Sequence, residues 1–245
     1  MARTEKSNYT EEFWKSQLKF PDWYLRLEDY LNETIFPIVH DNPKLKAGRH
    51  RFYGFVEEML TNGEIPLASS GPDLDSERQP INTVIIHHTE EDSNITLGRL
   101  NAIGLIRQYG QKYLEDDVYG HKGLKGKPVW SGHFRNGQMV FFAYHWLIRS
   151  DGKTERLLDD NYVARHAVYN NPYSVGIALS GDYEHSIPPI QQIKAAAKII
   201  KENYSYVDLG RVFGHQEVMQ GRTCPGDKFL GVDGWKNTLI ELVSK

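Results

Sequence analysis

The chain has 245 residues, 40% of them hydrophobic and 25% charged, enough for one generous domain or one domain with an extension. Its single cysteine, Cys224, stands against ten histidines, which excludes a disulfide framework, a four-cysteine zinc ribbon, an iron–sulfur cluster held by this chain alone and a C-x-x-C redox pair, and requires any metal site to be rich in histidine. The formal net charge of -3 speaks against affinity gained by neutralising many phosphates, so no nucleic-acid partner is expected.

The first twenty residues, MARTEKSNYTEEFWKSQLKF, hold no apolar run of the kind a signal peptide needs, and no window reaches the roughly 20 apolar residues of a membrane span. A soluble, unprocessed, cytoplasmic chain without a transmembrane segment is the expectation. Residues 1–65 carry helical periodicity, with Trp23, Leu27, Tyr30 and Leu31, then Phe52, Phe55, Val56, Met59 and Leu60, recurring at three- and four-residue steps. Asn62-Gly63 reads as a helix stop. Residues 66–80, rich in Pro, Ser, Gly and Asp, read as a linker.

Beyond the linker, INTVIIHHT packs β-branched aliphatics into a short run that suits a buried strand, and AYHWLI and SVGIALSG have the same character. SDGKT at 150–154 predicts a hairpin turn. A helix is expected from Ser186 to about Tyr204, with Pro188 and Pro189 in its first turn and a stripe of Ile190, Ile193, Ala197 and Ile200; a final helix covers about 234–243. This order of elements predicts an α/β or α+β domain.

Good metal ligands occur in three places: His87-His88, GHQE around His215, and RTCPG around Cys224. A catalytic zinc needs three protein ligands and a fourth position for water, which two histidines and one cysteine can satisfy. Side chains alternate along a strand, so His87 and His88 cannot both face one ion. Read from residue types alone, these positions fit a metal site or ordinary core histidines and an inert buried cysteine, because no local motif joins them.

In order, VIIHHT, AYHWLIRSDG, ARHAVYNNPYSVGIALSGD, GHQEV and TCPG resemble the zinc-dependent N-acetylmuramoyl-L-alanine amidases of the type-2 amidase and peptidoglycan-recognition-protein superfamily, phage lysozymes included. The likeness covers about residues 80–240. It implies an α/β fold with a central mixed β-sheet flanked by helices, here preceded by an N-terminal helical extension, and an amidase domain over residues 81–245. It implies one zinc per chain held by His87, His215 and Cys224, with Tyr144 beside the metal-activated water. Arg222, two positions before the cysteine, stands where relatives carry lysine or threonine and is a candidate oxyanion or substrate contact; arginine keeps a charge there but cannot shuttle a proton as lysine could. His166 and Asn171 are the expected substrate contacts. His88, His145 and Glu217 read as packing or supporting residues, Glu217 as one that can orient a ligand histidine.

Two departures from the resemblance stand out. His215 and Cys224 are nine positions apart, about one more than usual in the family, and His87 and Tyr144 are 57 apart. The excess falls in residues 108–140, which read as a flexible surface insertion, or else as a loop walling the glycan groove. Aromatics of the N-terminal helices, at helical spacing, read as core.

The function implied by the resemblance is hydrolysis of the amide between N-acetylmuramic acid and the L-alanine of the peptidoglycan stem, by a monomeric lytic enzyme of the endolysin type that acts on the cell wall after release. Two alternatives remain open: a cytosolic amidase recycling anhydromuramyl peptides, and a binding-only recognition module. Recycling enzymes resemble this branch with aspartate for the cysteine and without the tyrosine, and binding-only members typically lose the cysteine; Cys224 and Tyr144 favour the lytic reading.

Overall fold

A computed structural model describes residues 9–37 and 42–245; residues 1–8 and 38–41 of the expected helical stretch lie outside the described residues. In chain order, α1 (Glu11–Leu18), α2 (Trp23–Arg26), α3 (Glu28–Tyr30) and α4 (Pro43–Thr61) precede β1 (Thr83–His88). Then come α5 (Leu97–Gly104), α6 (Gln111–Tyr113) and the short strands β2 (Asp117–Val118), β3 (His121–Lys122), β4 (Phe134–Arg135) and β5 (Gln138–Met139). The chain continues through β6 (Trp146–Ile148), β7 (Thr154–Arg156), β8 (Ser174–Leu179), α7 (Ile190–Asn203), β9 (Val212–Gly214), α8 (His215–Val218) and α9 (Trp235–Ser244). Among the described residues, no helix is long and apolar enough to cross a membrane.

Two compact units divide these elements, one from 1–74 and 97–141, the other from 75–96 and 142–245. In the first, α1 begins where the Thr10 hydroxyl accepts the amide of Phe13, and α4 where Asn42 Oδ1 accepts that of Leu45, with Pro43 in the first turn. Trp14, Trp23, Tyr24 and Tyr30 are buried in one cluster, as their helical spacing predicts. The same cluster takes in Tyr109, Tyr113, Val118, Val129 and Phe141. Residues 108–140 therefore carry part of this core instead of forming the expected flexible surface insertion. The segment is helical as far as Tyr113 and then forms two small hairpins, β2–β3 and β4–β5. Tyr109 and Tyr113 from the helical part, Val118 of β2 and Val129 between the hairpins join the core begun by the N-terminal helices.

The second unit is built on a mixed five-stranded sheet in the order β7-β6-β8-β1-β9. Strands β6, β8, β1 and β9 are parallel, and β7 returns antiparallel to β6 around the expected turn, where Gly152 takes a left-handed φ of 87°. One face is apolar: Val84, Ile86, Val175, Ile177 and Leu179 pack on Ile193, Ala196, Ala197 and Ile200 of α7 and on Trp235 and Leu239 of α9. Helix α7 starts later than the sequence suggests. Pro188 precedes another proline, which disfavours helical backbone, so Pro189 is the extended cap and Ile190 is exposed.

The linker reading of 66–80 also changes, because residues from 75 onward are fastened to the second unit. Asp75 Oδ1 accepts the Val163 amide at 2.6 Å, Glu77 pairs with the buried Arg165, and Gln79 N–H donates to the Pro172 carbonyl. Arg78 donates to the carbonyls of Asp160, Asn171, Pro172 and Ser174. Short polar residues look like a linker in composition, but here they clamp the loop before β8.

If the 108–140 segment is core, Tyr113→Ala should cost about 3–5 kcal/mol, the range of large aromatic truncations in a packed interior. Phe134→Ala, at a side chain 46% exposed in the same segment, should stay within about 0.5 kcal/mol. Urea unfolding of the two variants distinguishes them, and equal small effects would return the segment to the status of a surface loop.

Candidate functional site

All six residues of β1 are buried, and its last two are His87 and His88. The parallel register pairs Ile86 with Gly214, so His215, the residue after β9, arrives level with His87 at the carboxyl edge of the sheet. Open α/β sheets form their sites at this edge. The loop after α8 brings in Cys224. One donor atom from each of His87, His215 and Cys224 lies within 4.8 Å of the others. The His87 Nδ1 to Cys224 Sγ distance is 3.7 Å. With Zn–N about 2.0 Å and Zn–S about 2.3 Å, two ligands of one tetrahedral ion stand about 3.6 Å apart, so the donor set fits a zinc ion.

Electrostatics fits as well. Burial first, then the neighbouring His215, His166 and His88, hold His87 well below the usual imidazole range. Burial, with Arg222 next, lowers His215 to about 4. Both rings are neutral at pH 7, with lone pairs available. Burial pushes the Cys224 thiol up, reinforced by Glu90 and Glu184 and opposed by the His88 amide and Arg222. A dication is the partner that would favour its thiolate.

Strand alternation sends His88 to the other face, where its ring, Glu90 and Glu184 form a second cluster of potential ligands. The Tyr183 N–H donates to His88 Nδ1 at 2.8 Å, which leaves the ring proton on Nε2, 3.9 Å from Glu184 Oε2. A protonated nitrogen is no metal ligand, so the arrangement is a histidine facing carboxylates. The Thr223 hydroxyl donates to Glu184 Oε2 at 3.0 Å, and the His88 amide donates to Cys224 Sγ at 3.4 Å. Sequence reading missed Glu90, Glu184 and Thr223; adjacency to His88 and Cys224 was the signal for Glu90 and Thr223, and Glu184 had none.

The remaining expected residues fall in different places. The Tyr144 ring lies 5.0 Å from that of His87, and the positive charge of Arg222 is felt by both His215 and Cys224, so both stand near the candidate donors. His166 is buried with Nδ1 2.9 Å from His87 Nε2. Asn171, expected as a substrate contact, is 5% exposed, and its Oδ1 already accepts the amides of His166 and Ala167 at 3.0 and 2.7 Å. Its oxygen is engaged in shaping the loop that carries His166. Glu217 orients no histidine: it accepts the Gly214 amide at 2.7 Å and pairs with Lys236. His145 accepts the Gly176 amide at Nδ1, leaving Nε2–H to donate to the Tyr162 carbonyl at 3.1 Å.

Fold and site together define an α/β protein with a candidate His-His-Cys metal centre at the edge of a mixed sheet. The family described as N-acetylmuramoyl-L-alanine amidase matches residues 77–227, well over half of the chain, and the chain belongs to that family. Peptidoglycan-recognition protein SC1a/b of Drosophila simulans is 30% identical over 147 residues, covering 58% of this chain and 78% of the relative. Peptidoglycan-recognition protein LB of Drosophila melanogaster is 32% identical over 97 residues, 38% of this chain and 41% of the relative. Among solved structures, the endolysin N-acetylmuramoyl-L-alanine amidase LysCS from Clostridium intestinale URNW aligns with a TM-score of 0.45 at 21% identity, covering 66% of this chain and 85% of that one.

The site also sets an acid limit on stability. His145 is held well below its ordinary value, mainly by burial, and a proton on Nδ1 would set it against the Gly176 N–H. The unfolded chain protonates this ring near pH 6.5 and the folded chain does not, so the stability is present above about 6.5 and is lost as pH falls. Each such histidine contributes up to about 1.4 kcal/mol per pH unit. Metal-free protein should show a falling unfolding midpoint from pH 7.5 to 5.0, with a shallower fall in His145→Asn. An unchanged slope in that variant would mean that the ring protonates within the fold.

Proposed function

We propose that the protein is a zinc-dependent N-acetylmuramoyl-L-alanine amidase that cleaves the lactyl–alanine amide of peptidoglycan. The observation that carries this reading is the donor set itself: two neutral imidazoles and one thiol, with the His87 nitrogen and Cys224 sulfur 3.7 Å apart. Membership of the amidase family supports the reaction class. Zinc held by His87, His215 and Cys224 would supply Lewis acidity, polarising the amide carbonyl and lowering the pKa of water towards neutrality. Tyr144, beside His87, donates its phenolic proton to the oxygen on which charge develops. Arg222 holds a fixed positive charge next to the ligands; it stabilises negative charge on the substrate and moves no proton.

A binding-only recognition function is the second reading, supported by the names of the relatives. The thiol separates the two, because a recognition module has no need of a ligand that must lose its proton to bind a cation.

Purified protein should contain about one zinc per chain, and Cys224→Ala should lose both metal and the release of L-alanyl amino groups from defined muropeptides while keeping its fold. Tyr144→Phe should keep its zinc and lose turnover by about 100-fold or more, the cost of one oxyanion donor. Mass spectrometry of the products, with and without chelator, is the deciding measurement. Intact muropeptide recovered from a zinc-loaded wild-type protein would leave recognition as the function.

A further inference from the structure

The role of His166 can be read from its contacts. Both ring nitrogens of His87 are engaged: Nδ1 is 3.7 Å from Cys224 Sγ, and Nε2 is 2.9 Å from His166 Nδ1. His166 Nε2 in turn lies 3.3 Å from Ser174 Oγ. His87, His166 and Ser174 are buried, His166 at 6% exposure and Ser174 at none. An imidazole that gives its Nδ1 lone pair to a cation keeps its ring proton on Nε2, and that proton needs an acceptor. His166 Nδ1 is at hydrogen-bonding distance, and its own proton on Nε2 then points to the serine hydroxyl.

The surroundings hold this ring in place. The β8 residue beneath it is Gly176, where an added Cβ would come within 3.0 Å of the His166 ring. The loop bearing His166 is closed by Asn171 Oδ1 across two amides, and Arg78 fastens the carbonyls that follow. We propose that His166 is a positioning residue: by accepting the Nε2–H of His87 it fixes the tautomer and ring orientation that present Nδ1 to the metal. Asn171 and Gly176 set where that acceptor stands. This role rests on the zinc reading above, and it differs from the substrate contact that the family resemblance implies.

The direct test uses the wild-type protein loaded with zinc and labelled with 15N at histidine. Long-range 1H–15N spectra should show His87 metallated at Nδ1, with a slowly exchanging proton on Nε2. Metallation at Nε2, or a proton on Nδ1, overturns the proposal. Chelator competition supplies the second readout. His166→Ala should weaken zinc binding about 10–100-fold, the usual cost of removing a ligand's supporting partner. His166→Asn, whose Oδ1 stands where Nδ1 stood, should recover most of that affinity, whereas Gly176→Ala, which displaces the ring, should match His166→Ala. Wild-type affinity in the alanine variant, or equal weakening in the asparagine variant, overturns the positioning role while leaving the zinc reading intact. A wild-type protein that takes up no zinc overturns the zinc reading itself.

Discussion

The site depends on the register of three parallel strands. Because Ile86 stands beside Gly214, the chain leaves β1 and β9 at the same level, and His87 and His215 meet although 128 positions of sequence separate them. A slip of one residue in β1 would turn His88 inward and carry His87 to the helix-covered face. The apolar side chains of Val84 and Ile86 resist that slip, since they fill the layer beneath α7 and α9. Hydrophobic packing on one face of the sheet thus fixes which histidine faces the candidate ligands His215 and Cys224 on the other.

The two faces of β8 divide the work in the same way. Val175, Ile177 and Leu179 point into the helix layer, while Gly176 and Ala178, paired with Ile85 and His87, keep the opposite face low. Into that space fits His166, whose ring an added Cβ at 176 would meet at 3.0 Å, and the Gly176 amide donates to His145 Nδ1. Burying imidazole rings in such a layer is unfavourable unless their nitrogens are paired. Here a chain of contacts from Cys224 through His87 and His166 to Ser174 pairs them, and the backbone of Gly176 pairs His145.

The strand that bears the candidate ligand His87 was legible in the sequence because burial on both faces leaves a dense apolar run, and the division between His87 and His88 followed from alternation alone. Other features were not legible, for identifiable reasons. Tyr109, Tyr113, Val118 and Val129 look like scattered loop residues because their packing partners, Trp14, Trp23 and Tyr24, lie about a hundred positions earlier. Arg78 and Asp75 sit in a segment whose composition is that of a linker, and only the positions of distant carbonyls and amides reveal their contacts. Asn171 has the residue type of a substrate contact, yet its oxygen is consumed by two amides of its own loop, a local geometry that no spacing rule reports.

Burial acts on the three ligand candidates in opposite formal directions with one physical result. It lowers the proton affinity of the two imidazoles and raises that of the thiol, so all three rest uncharged at neutral pH. Glu90 and Glu184 add negative charge near the sulfur, which disfavours the thiolate further, and Arg222 only partly opposes them. A divalent cation reverses this balance: the imidazoles need lose no proton to bind it, and the thiol loses one. The carboxylates that raise the thiol in the metal-free protein then sit close to positive charge, so the same groups that hold the site neutral without metal would favour the ion once it binds.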